Sequence, residues 1–497
     1  MGSALEIPSE LTNFLGRKAP QSLLVRGAPG TGKTMLAFAL LETFPGRRIY
    51  VTSRVHPADL FNDFPSLSRI ASEGRFSIID MTDRGSEVRR AASAVEEAGK
   101  LVAPDPERLD LKALLLPPDL LEAWSLTSPE TPTLVVLDSW DAIIERYLGS
   151  VPAGIDGLPS REELERIALA QMSEGPVFLV FVVEHRDAGQ LEYLVNGIVS
   201  MVRESHGDRT ERWLHIDKLR GTRIAHAAYP FSLEGATFRC VEPLPSEVRR
   251  GAPRTDPDPA PGQGQIWPGS VDYANFFGRL SLGKLTLIEH DNEIPLRAMN
   301  SLLDPIVGEV LAARGRIFHV PPPGTHPIDL LELYRDRVPA EEFFRQVRIL
   351  GLLPHGESED IAPSMLPLPT GTEDGYNPRT PETAKFLAEN VDARTPNLCL
   401  AWITGLNAIN SLVPGTYSPA TLPGMVLTYL HQSPIHIIFI GPEDDPLTRS
   451  LRSLAGVRLS MSSREGRVFV HGVIPRTPSL VLSDSADGSP YHLHRIV

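Results

Sequence analysis

Short apolar runs alternate with segments of helical apolar spacing through the first half of the chain. Continuous apolar runs at Ser22–Arg26, Thr133–Leu137 and Val177–Val183 are typical of strands buried on both faces of a parallel sheet. Further strands are predicted at Arg48–Thr52 and Phe76–Asp80. Strands that alternate with helices in this way predict an α/β, doubly wound fold with a mainly parallel sheet and flanking helices.

The second half of the chain repeats the order of the first. Three pairs of segments correspond: GRRIYVTSRVHPADL ending at Leu60 with ARGRIFHVPPPGTHPIDL ending at Leu330, PTLVVLDSWDAI ending at Ile143 with PNLCLAWITGLNAI ending at Ile409, and GPVFLVFVVE ending at Glu184 with SPIHIIFIGPE ending at Glu443. We interpret this order as a duplicated domain; the alternative is that any two α/β domains share such patterns. The predicted domains are residues 1–245 and 266–497, joined by a proline-rich linker at 246–265.

Length and composition narrow the class of protein. A chain of 497 residues exceeds what one hydrophobic core usually holds, so more than one domain is expected. No apolar run approaches the ~18 to 20 residues of a membrane span, and the N-terminus lacks the pattern of a secretory signal. Cys240 and Cys399, the two cysteines, suggest neither a disulfide framework nor a zinc site. We therefore expect a cytoplasmic protein, and the net charge of −14 argues against a large DNA-binding surface.

One glycine-rich segment carries most of the chemical information. GAPGTGKT lies between a predicted strand and a predicted helix, which is the setting of a phosphate-binding loop. Its glycines let backbone N–H groups face phosphate, its lysine reaches the terminal phosphates and its last hydroxyl can ligate Mg²⁺. The alternative is a glycine-rich turn without a ligand. We predict a site for ATP and Mg²⁺ formed by Gly27, Ala28, Pro29, Gly30, Thr31, Gly32, Lys33 and Thr34.

A carboxylate from another strand should complete the magnesium site. Asp138 directly follows the apolar run Leu134–Leu137, so it is predicted to lie at the end of a buried strand. From there it can hold the hydration shell of Mg²⁺ opposite Thr34. The alternative for a strand-terminal aspartate is a turn or cap.

These residues resemble the RecA superfamily of P-loop ATPases, and within it the KaiC and RadA-like branch. The resemblance covers about the first 245 residues and includes the segment Leu137–Ser139, the strand Phe178–Glu184 followed by Gly197–Val199, and KLRGT at Lys218–Thr222. It implies tandem RecA-like P-loop domains and a homo-oligomer.

In KaiC-like proteins a Lys-x-Arg-Gly-Ser/Thr segment reaches into the nucleotide site of the neighbouring subunit. The resemblance therefore implies that Lys218 and Arg220 contact phosphates in trans. Two cations at positions i and i+2 of a strand share one face, which suits a common anion. The alternative is a solvated basic edge.

One departure from the family concerns hydrolysis. KaiC-like ATPases carry two glutamates after the second strand, one of which activates water, and the matching positions here are Arg54 and Val55. General-base assistance is typically worth ~10² to 10⁴ in rate, so we expect slow hydrolysis, a weak ATPase at most. Glu184 is the candidate acid that could replace the missing glutamate. The predicted catalytic residues are therefore Lys33 and Glu184. Arg54 would instead sense or neutralise the terminal phosphate.

The second half departs further from the family. The acidic segment Glu289–Pro295 stands where the phosphate loop should be and has neither glycine nor lysine. Thr404 takes the place of Asp138 in the aligned segments. The acids could bind a cation, the alternative being a solvated acidic turn. We predict that this domain is a copy that binds no nucleotide.

The lead SLLVRG, ending at Gly27, and the tripeptide Ser53–Val55 resemble an archaeal subgroup of KaiC-like proteins that includes gas-vesicle regulators of the GvpD kind. The resemblance and the missing glutamates favour a nucleotide-switched regulatory protein that acts on a protein partner, with gas-vesicle or transcriptional regulation as its output. Two alternatives stay open: a RadA-like DNA recombination ATPase, and a KaiC-like autokinase. We expect no membrane association and do not favour DNA binding.

Overall fold

The structure is a computed structural model that describes residues 7–82, 116–150, 159–171, 175–184, 189–244, 264–321, 330, 334, 345–351, 365–367, 400–406, 417–432, 435–484 and 491–496. The chain divides into two compact units. The N-terminal unit comprises residues 3–242 with 496–497, and the C-terminal unit comprises residues 243–495 with 1–2. Residues 246–263 of the predicted linker lie outside the described residues, so the predicted domain boundaries stay a prediction.

The N-terminal unit is built on one sheet. Its strands are β1 (Ser22–Arg26), β2 (Arg47–Thr52), β3 (Phe76–Asp80), β4 (Thr133–Asp138), β5 (Val177–Val183), β6 (Gly197–His206), β7 (Arg209–Leu219), β8 (Ala228–Ser232) and β9 (Arg239–Cys240). Among the described residues the order is β3-β2-β4-β5-β1-β6-β7-β8-β9. Pairing is parallel from β3 to β6 and antiparallel from β6 to β9.

Helices cover both faces of this sheet. They are α1 (Ser9–Leu15), α2 (Lys33–Thr43), α3 (Pro57–Asp63), α4 (Pro65–Ser72), α5 (Pro118–Ser125), α6 (Trp140–Ser150), α7 (Arg161–Gln171) and α8 (Leu191–Leu194), with a 3₁₀ turn at Glu234–Ala236. Alternate residues of β1 point to opposite faces: Val25 packs in the core beneath α2, and Leu24 packs in the core beneath α6. The predicted α/β fold, a mainly parallel sheet with flanking helices, is confirmed.

The C-terminal unit has a second large sheet and a small sheet of two antiparallel strands. Its strands are β10 (Gln265–Ile266), β11 (Leu280–Ser281), β12 (Lys284–His290), β13 (Arg316–Val320), β14 (Val347–Gly351), β15 (Met365–Pro367), β16 (Leu400–Gly405), β17 (Ile435–Pro442), β18 (Val457–Arg464), β19 (Arg467–Ile474), β20 (Leu480–Ser483) and β21 (His492–Arg495). Its helices are α9 (Val271–Phe277), α10 (Leu296–Ala312), α11 (Leu422–Gln432) and α12 (Pro446–Leu451). Across the part of the chain described, no helix has the length and apolar character needed to span a bilayer.

The two large sheets share one strand order. The second sheet runs β15-β14-β13-β16-β17-β12-β18-β19-β20-β21, which repeats the first sheet with β15 added at one edge. In both sheets the first long strand lies in the middle, between a parallel neighbour on either side. This shared order agrees with the repeated order of sequence segments. Duplication remains our interpretation of both.

Candidate nucleotide site

The predicted phosphate loop connects the end of β1 to the start of α2. A Cβ on Gly27 would lie 2.3 Å from the carbonyl oxygen of Met201, so glycine is required there by close approach of β6. Gly32 has a φ of 100°, a left-handed conformation that glycine adopts readily. Residues 28–30 are exposed. The loop therefore presents its middle, Ala28, Pro29 and Gly30, to solvent at the carboxyl edge of the parallel strands, where ligands bind in such sheets.

Two hydrogen bonds hold the outer loop in place. The Thr31 hydroxyl donates to the carbonyl of Ala28 at 2.9 Å, and the guanidinium of Arg212 on β7 donates to the carbonyl of Gly30 at 2.7 Å. Arg212 was not among the residues predicted from sequence, because no local pattern distinguishes it from the other arginines of β7. The loop is thus tied to the antiparallel part of the sheet.

Lys33 lies inside the loop. Its side chain is buried, and its ammonium donates to the carbonyls of Gly27 at 2.8 Å and Ala28 at 3.0 Å. Burial lowers the pKa of Lys33, while the negative charges of Glu184 and Asp138 oppose that change. The ammonium therefore lies among carbonyl oxygens of the loop whose bound phosphates it is predicted to contact.

Thr34 and Asp138 come together as the sequence predicted. The Thr34 hydroxyl donates to Asp138 Oδ2 at 2.8 Å, and the Tyr50 hydroxyl donates to the same oxygen at 2.7 Å. Burial raises the pKa of Asp138, and the hydrogen bonds from Tyr50 and Thr34 oppose that rise. A carboxylate beside a hydroxyl is a hard oxygen set of the kind that Mg²⁺ prefers, so these residues fit the predicted metal.

Glu184 and Arg54 form an ion pair at the open side of the site. The Glu184 backbone N–H donates to Asp141 Oδ2 at 2.9 Å, and Arg161 donates to Asp141 Oδ1 at 2.7 Å. Asp141 is 3% exposed, so this support lies within the protein. The structure therefore brings Glu184, the predicted base, next to Arg54, which stands at one of the two positions of the family's glutamates. The sequence positions of these two residues did not indicate this contact.

KLRGT lies at the end of β7. The strand ends at Leu219, and just beyond it the Arg220 backbone N–H donates to the carbonyl of Asn196 at 2.9 Å. The Lys218 ammonium donates to the carbonyls of Glu192 at 2.9 Å and Val195 at 2.7 Å, within its own chain. Arg220 is exposed. Contact in trans by either residue, and the shared face from which it was argued, stay predictions.

In the C-terminal unit, strand pairing corrects the alignment by one residue. Ile403 of β16 packs in the core beneath α10, and Val136 of β4 packs in the core beneath α2, so these two residues match. Two residues later the chain has Gly405 in the C-terminal unit and Asp138 in the N-terminal unit. Gly405, and not Thr404, therefore takes the place of Asp138. A slip of one residue reverses the face of every side chain in a strand.

The acidic segment Glu289–Pro295 begins in a strand and continues into a turn, where Asn292 and Glu293 are exposed. Glu289 is 1% exposed on β12 and pairs with Arg452 and Arg458, so it is not part of a solvated turn. The matching position on β1 is Arg26, which pairs with Glu192 and Asp217. In each unit the side chain at this position therefore pairs with two side chains of opposite charge, although Asp217 and Arg458 lie on strands that do not correspond. Within the described ranges no group of three or more His, Cys, Asp or Glu side chains could hold a metal ion.

Comparison with known proteins gives matches that each cover about half of the chain or less. Residues 11–217 match the family model described as GvpD gas vesicle protein, P-loop domain. The chain is 30% identical over 251 residues to Protein GvpD2 of Halobacterium salinarum (strain ATCC 700922 / JCM 11081 / NRC-1), which covers 50% of this chain and 46% of that protein. It is 30% identical over 246 residues to Protein GvpD1 of the same strain, covering 48% and 41%.

A second group of relatives is more distant. The chain is 28% identical over 225 residues to the circadian clock oscillator protein KaiC of Parathermosynechococcus lividus, which covers 43% of this chain and 37% of that protein. The matches span less than half the length of each of these curated relatives. They confirm the resemblance to KaiC-like P-loop proteins of the GvpD kind.

Proposed function

We propose that the N-terminal unit, which contains a KaiC-like P-loop domain of the GvpD kind, binds ATP with Mg²⁺ and works as a slow nucleotide switch. The contact between Thr34 and Asp138 carries this proposal. These two residues are 104 positions apart in the chain, yet the end of β4 holds the carboxylate 2.8 Å from the first hydroxyl of α2. Oxygen ligands on either side of a phosphate loop support Mg-nucleotide binding.

The roles of the chain's own residues follow from their places. The backbone N–H groups between Gly27 and Thr34, of which Pro29 has none, would surround the phosphates, and the Lys33 ammonium would leave the loop carbonyls to neutralise phosphate charge. Thr34 and Asp138 would hold Mg²⁺, which would supply positive charge against the phosphate oxygens.

The ion pair between Arg54 and Glu184 supports a switch more than a rapid enzyme. Glu184 is the acid predicted to activate water, and its carboxylate is already engaged by the Arg54 guanidinium. A slow ATPase stays in its triphosphate state long enough to act on a partner. We propose a protein partner, with gas-vesicle or transcriptional regulation as output. The family model that matches, which is described as a gas vesicle protein, supports the gas-vesicle output.

The decisive test is calorimetric titration of the full chain with Mg-ATP. We expect one ATP per chain in the wild type, since the C-terminal unit has no phosphate loop, and no measurable binding in Lys33→Ala, because the mutation removes the charge that faces the phosphates. Lys284→Ala, at an exposed lysine of the C-terminal unit, is the matched control and should bind as the wild type does.

Unchanged affinity in Lys33→Ala would refute the site. Two ATP molecules per chain would refute the proposal that the C-terminal unit binds none. Circular dichroism of Lys33→Ala should match the wild type, which shows that the loss of binding is not a loss of fold.

A further inference from the structure

Tyr50 places a phenol hydroxyl on the carboxylate of the proposed metal site. Its side chain is 1% exposed on β2, and its hydroxyl donates to Asp138 Oδ2 at 2.7 Å. The ring packs against Phe38 of α2 with centroids 4.9 Å apart. Phenylalanine would fill the same space, so packing accounts for the ring but not for the hydroxyl. The hydrogen bond to Asp138 accounts for the hydroxyl.

Burying a hydroxyl is unfavourable unless it forms a hydrogen bond, and here the partner is a carboxylate. Asp138 Oδ2 accepts two hydroxyls, those of Tyr50 and Thr34. Within the part of the chain that the structure describes, Oδ1 accepts no hydrogen bond. The two donors therefore fix the rotation of the carboxylate and leave one of its oxygens for another ligand.

The C-terminal unit lacks both members of this pair. His319 pairs with Ile403 on the neighbouring strand, and Tyr50 pairs with Val136 in the same way. Because Ile403 matches Val136, His319 takes the place of Tyr50. His319 contacts the Tyr334 hydroxyl at 2.9 Å, and Gly405 stands for Asp138. The phenol and the carboxylate are thus both present in the unit with the phosphate loop and both absent from the unit without it.

The geometry points to Tyr50 as a positioning residue that orients Asp138 toward the divalent cation bound with the nucleotide. This inference rests on the proposed function and adds to it a residue outside every motif of the loop. Outer partners of this kind fix the direction of a metal-facing carboxylate, and their removal typically lowers metal affinity by about 10- to 100-fold.

The test compares Tyr50→Phe with the wild-type full chain in titrations with a fluorescent ATP analogue, in Mg²⁺ and in EDTA. We expect the gain in affinity that Mg²⁺ gives to fall by about 10-fold or more in Tyr50→Phe, with unchanged affinity in EDTA. Tyr229→Phe is the matched control: it removes another buried phenol hydroxyl that donates to a carboxylate, that of Glu10, and should keep the wild-type Mg²⁺ gain.

A second variant separates positioning from packing. In an Asp138→Asn background, Tyr50→Phe should change the Mg²⁺ gain no further, because Tyr50 acts through the carboxylate. A wild-type Mg²⁺ gain in Tyr50→Phe, or an equal loss of affinity in Mg²⁺ and in EDTA, would overturn the inference while leaving the nucleotide site in place. Absence of nucleotide binding by the wild type would instead refute the proposed function itself.

Discussion

At the scale of single residues, the pair formed by Arg54 and Glu184 decides how the site is expected to react. The Arg54 side chain is 47% exposed and that of Glu184 is 24% exposed, so the pair contributes little to stability. Its effect is on chemistry, because the guanidinium occupies the acid that could otherwise accept a proton from water. The proposed role of Arg54 as a phosphate sensor remains a prediction beside this contact.

We expect Arg54→Ala to raise ATP turnover by about 10-fold or more, since freeing a general base recovers part of the ~10² to 10⁴ that such assistance is worth. Turnover is measured as phosphate release at saturating Mg-ATP. The double variant with Glu184→Gln should return to the wild-type rate. Arg69→Ala removes another surface ion pair, with Glu42, and should leave turnover unchanged. Equal rates in Arg54→Ala and the wild type would show that Glu184 is not the base.

At the scale of elements, α1 is attached to the sheet through one buried carboxylate. Glu10 accepts hydrogen bonds from the Tyr229 hydroxyl at 2.7 Å and from the backbone N–H groups of Ala225 and His226 at 3.2 Å each. Burial by itself would raise the pKa of Glu10, but the hydrogen bonds from Tyr229 and the backbone outweigh it and lower the pKa. The helix is thus held by an ionised group.

We expect Glu10→Gln to lower the free energy of unfolding by about 2 kcal/mol at pH 7, since hydrogen bonds to a charged group are worth roughly 1.5 to 3 kcal/mol. Because the folded-state pKa is lowered, this stability is fully present above the unfolded pKa of 4.5 and is lost as pH falls through the folded value. Urea unfolding below pH 5 should therefore show a smaller acid effect in Glu10→Gln. The control Glu145→Gln, at an exposed glutamate of α6, should match the wild type.

At the scale of the whole molecule, the proposed oligomer links nucleotide binding to assembly. If Arg220 completes the site of a neighbouring subunit, the nucleotide stabilises the contact that it bridges. ATP must then promote assembly, and assembly must tighten ATP binding by the same factor. Lys218 differs from Arg220 because its ammonium is already bonded to Glu192 and Val195 within its own chain.

We expect Arg220→Ala to abolish ATP-dependent assembly and to leave thermal stability unchanged, since the side chain is exposed. Lys218→Ala should also lower thermal stability, because two backbone carbonyls lose their donor. Light scattering with Mg-ATP, with Mg-ADP and without nucleotide measures the size of each variant. If size is the same in all three conditions for wild type and variants, trans contact by these residues is excluded.

The sequence by itself determined five strands of the N-terminal sheet, β1 to β5, the glycine-rich loop after β1 and the place of Asp138 at the end of β4. The antiparallel strands β7, β8 and β9 were not predicted with their bounds. Ser22–Arg26, Phe76–Asp80 and Val177–Val183 were predicted with the bounds that the structure has. These signals are local: an apolar run of strand length, glycines at fixed spacing and a carboxylate at a strand end each describe one short segment. Strand order was not predicted from the sequence, and the pairing of strands in the structure established it.

Only the tertiary structure decided which distant side chains meet. Tyr50 stands in an apolar run that reads as core, yet its hydroxyl lies on Asp138, and Lys218 turns to carbonyls of its own chain. Core packing also decided which residue of the C-terminal sheet matches Asp138. Alignment of the sequence segments gave Thr404, whereas the packing of Ile403 gives Gly405, one residue later. The physical reason is that local patterns specify an element, whereas a contact depends on pairing register and on side-chain direction, which are set when the elements pack.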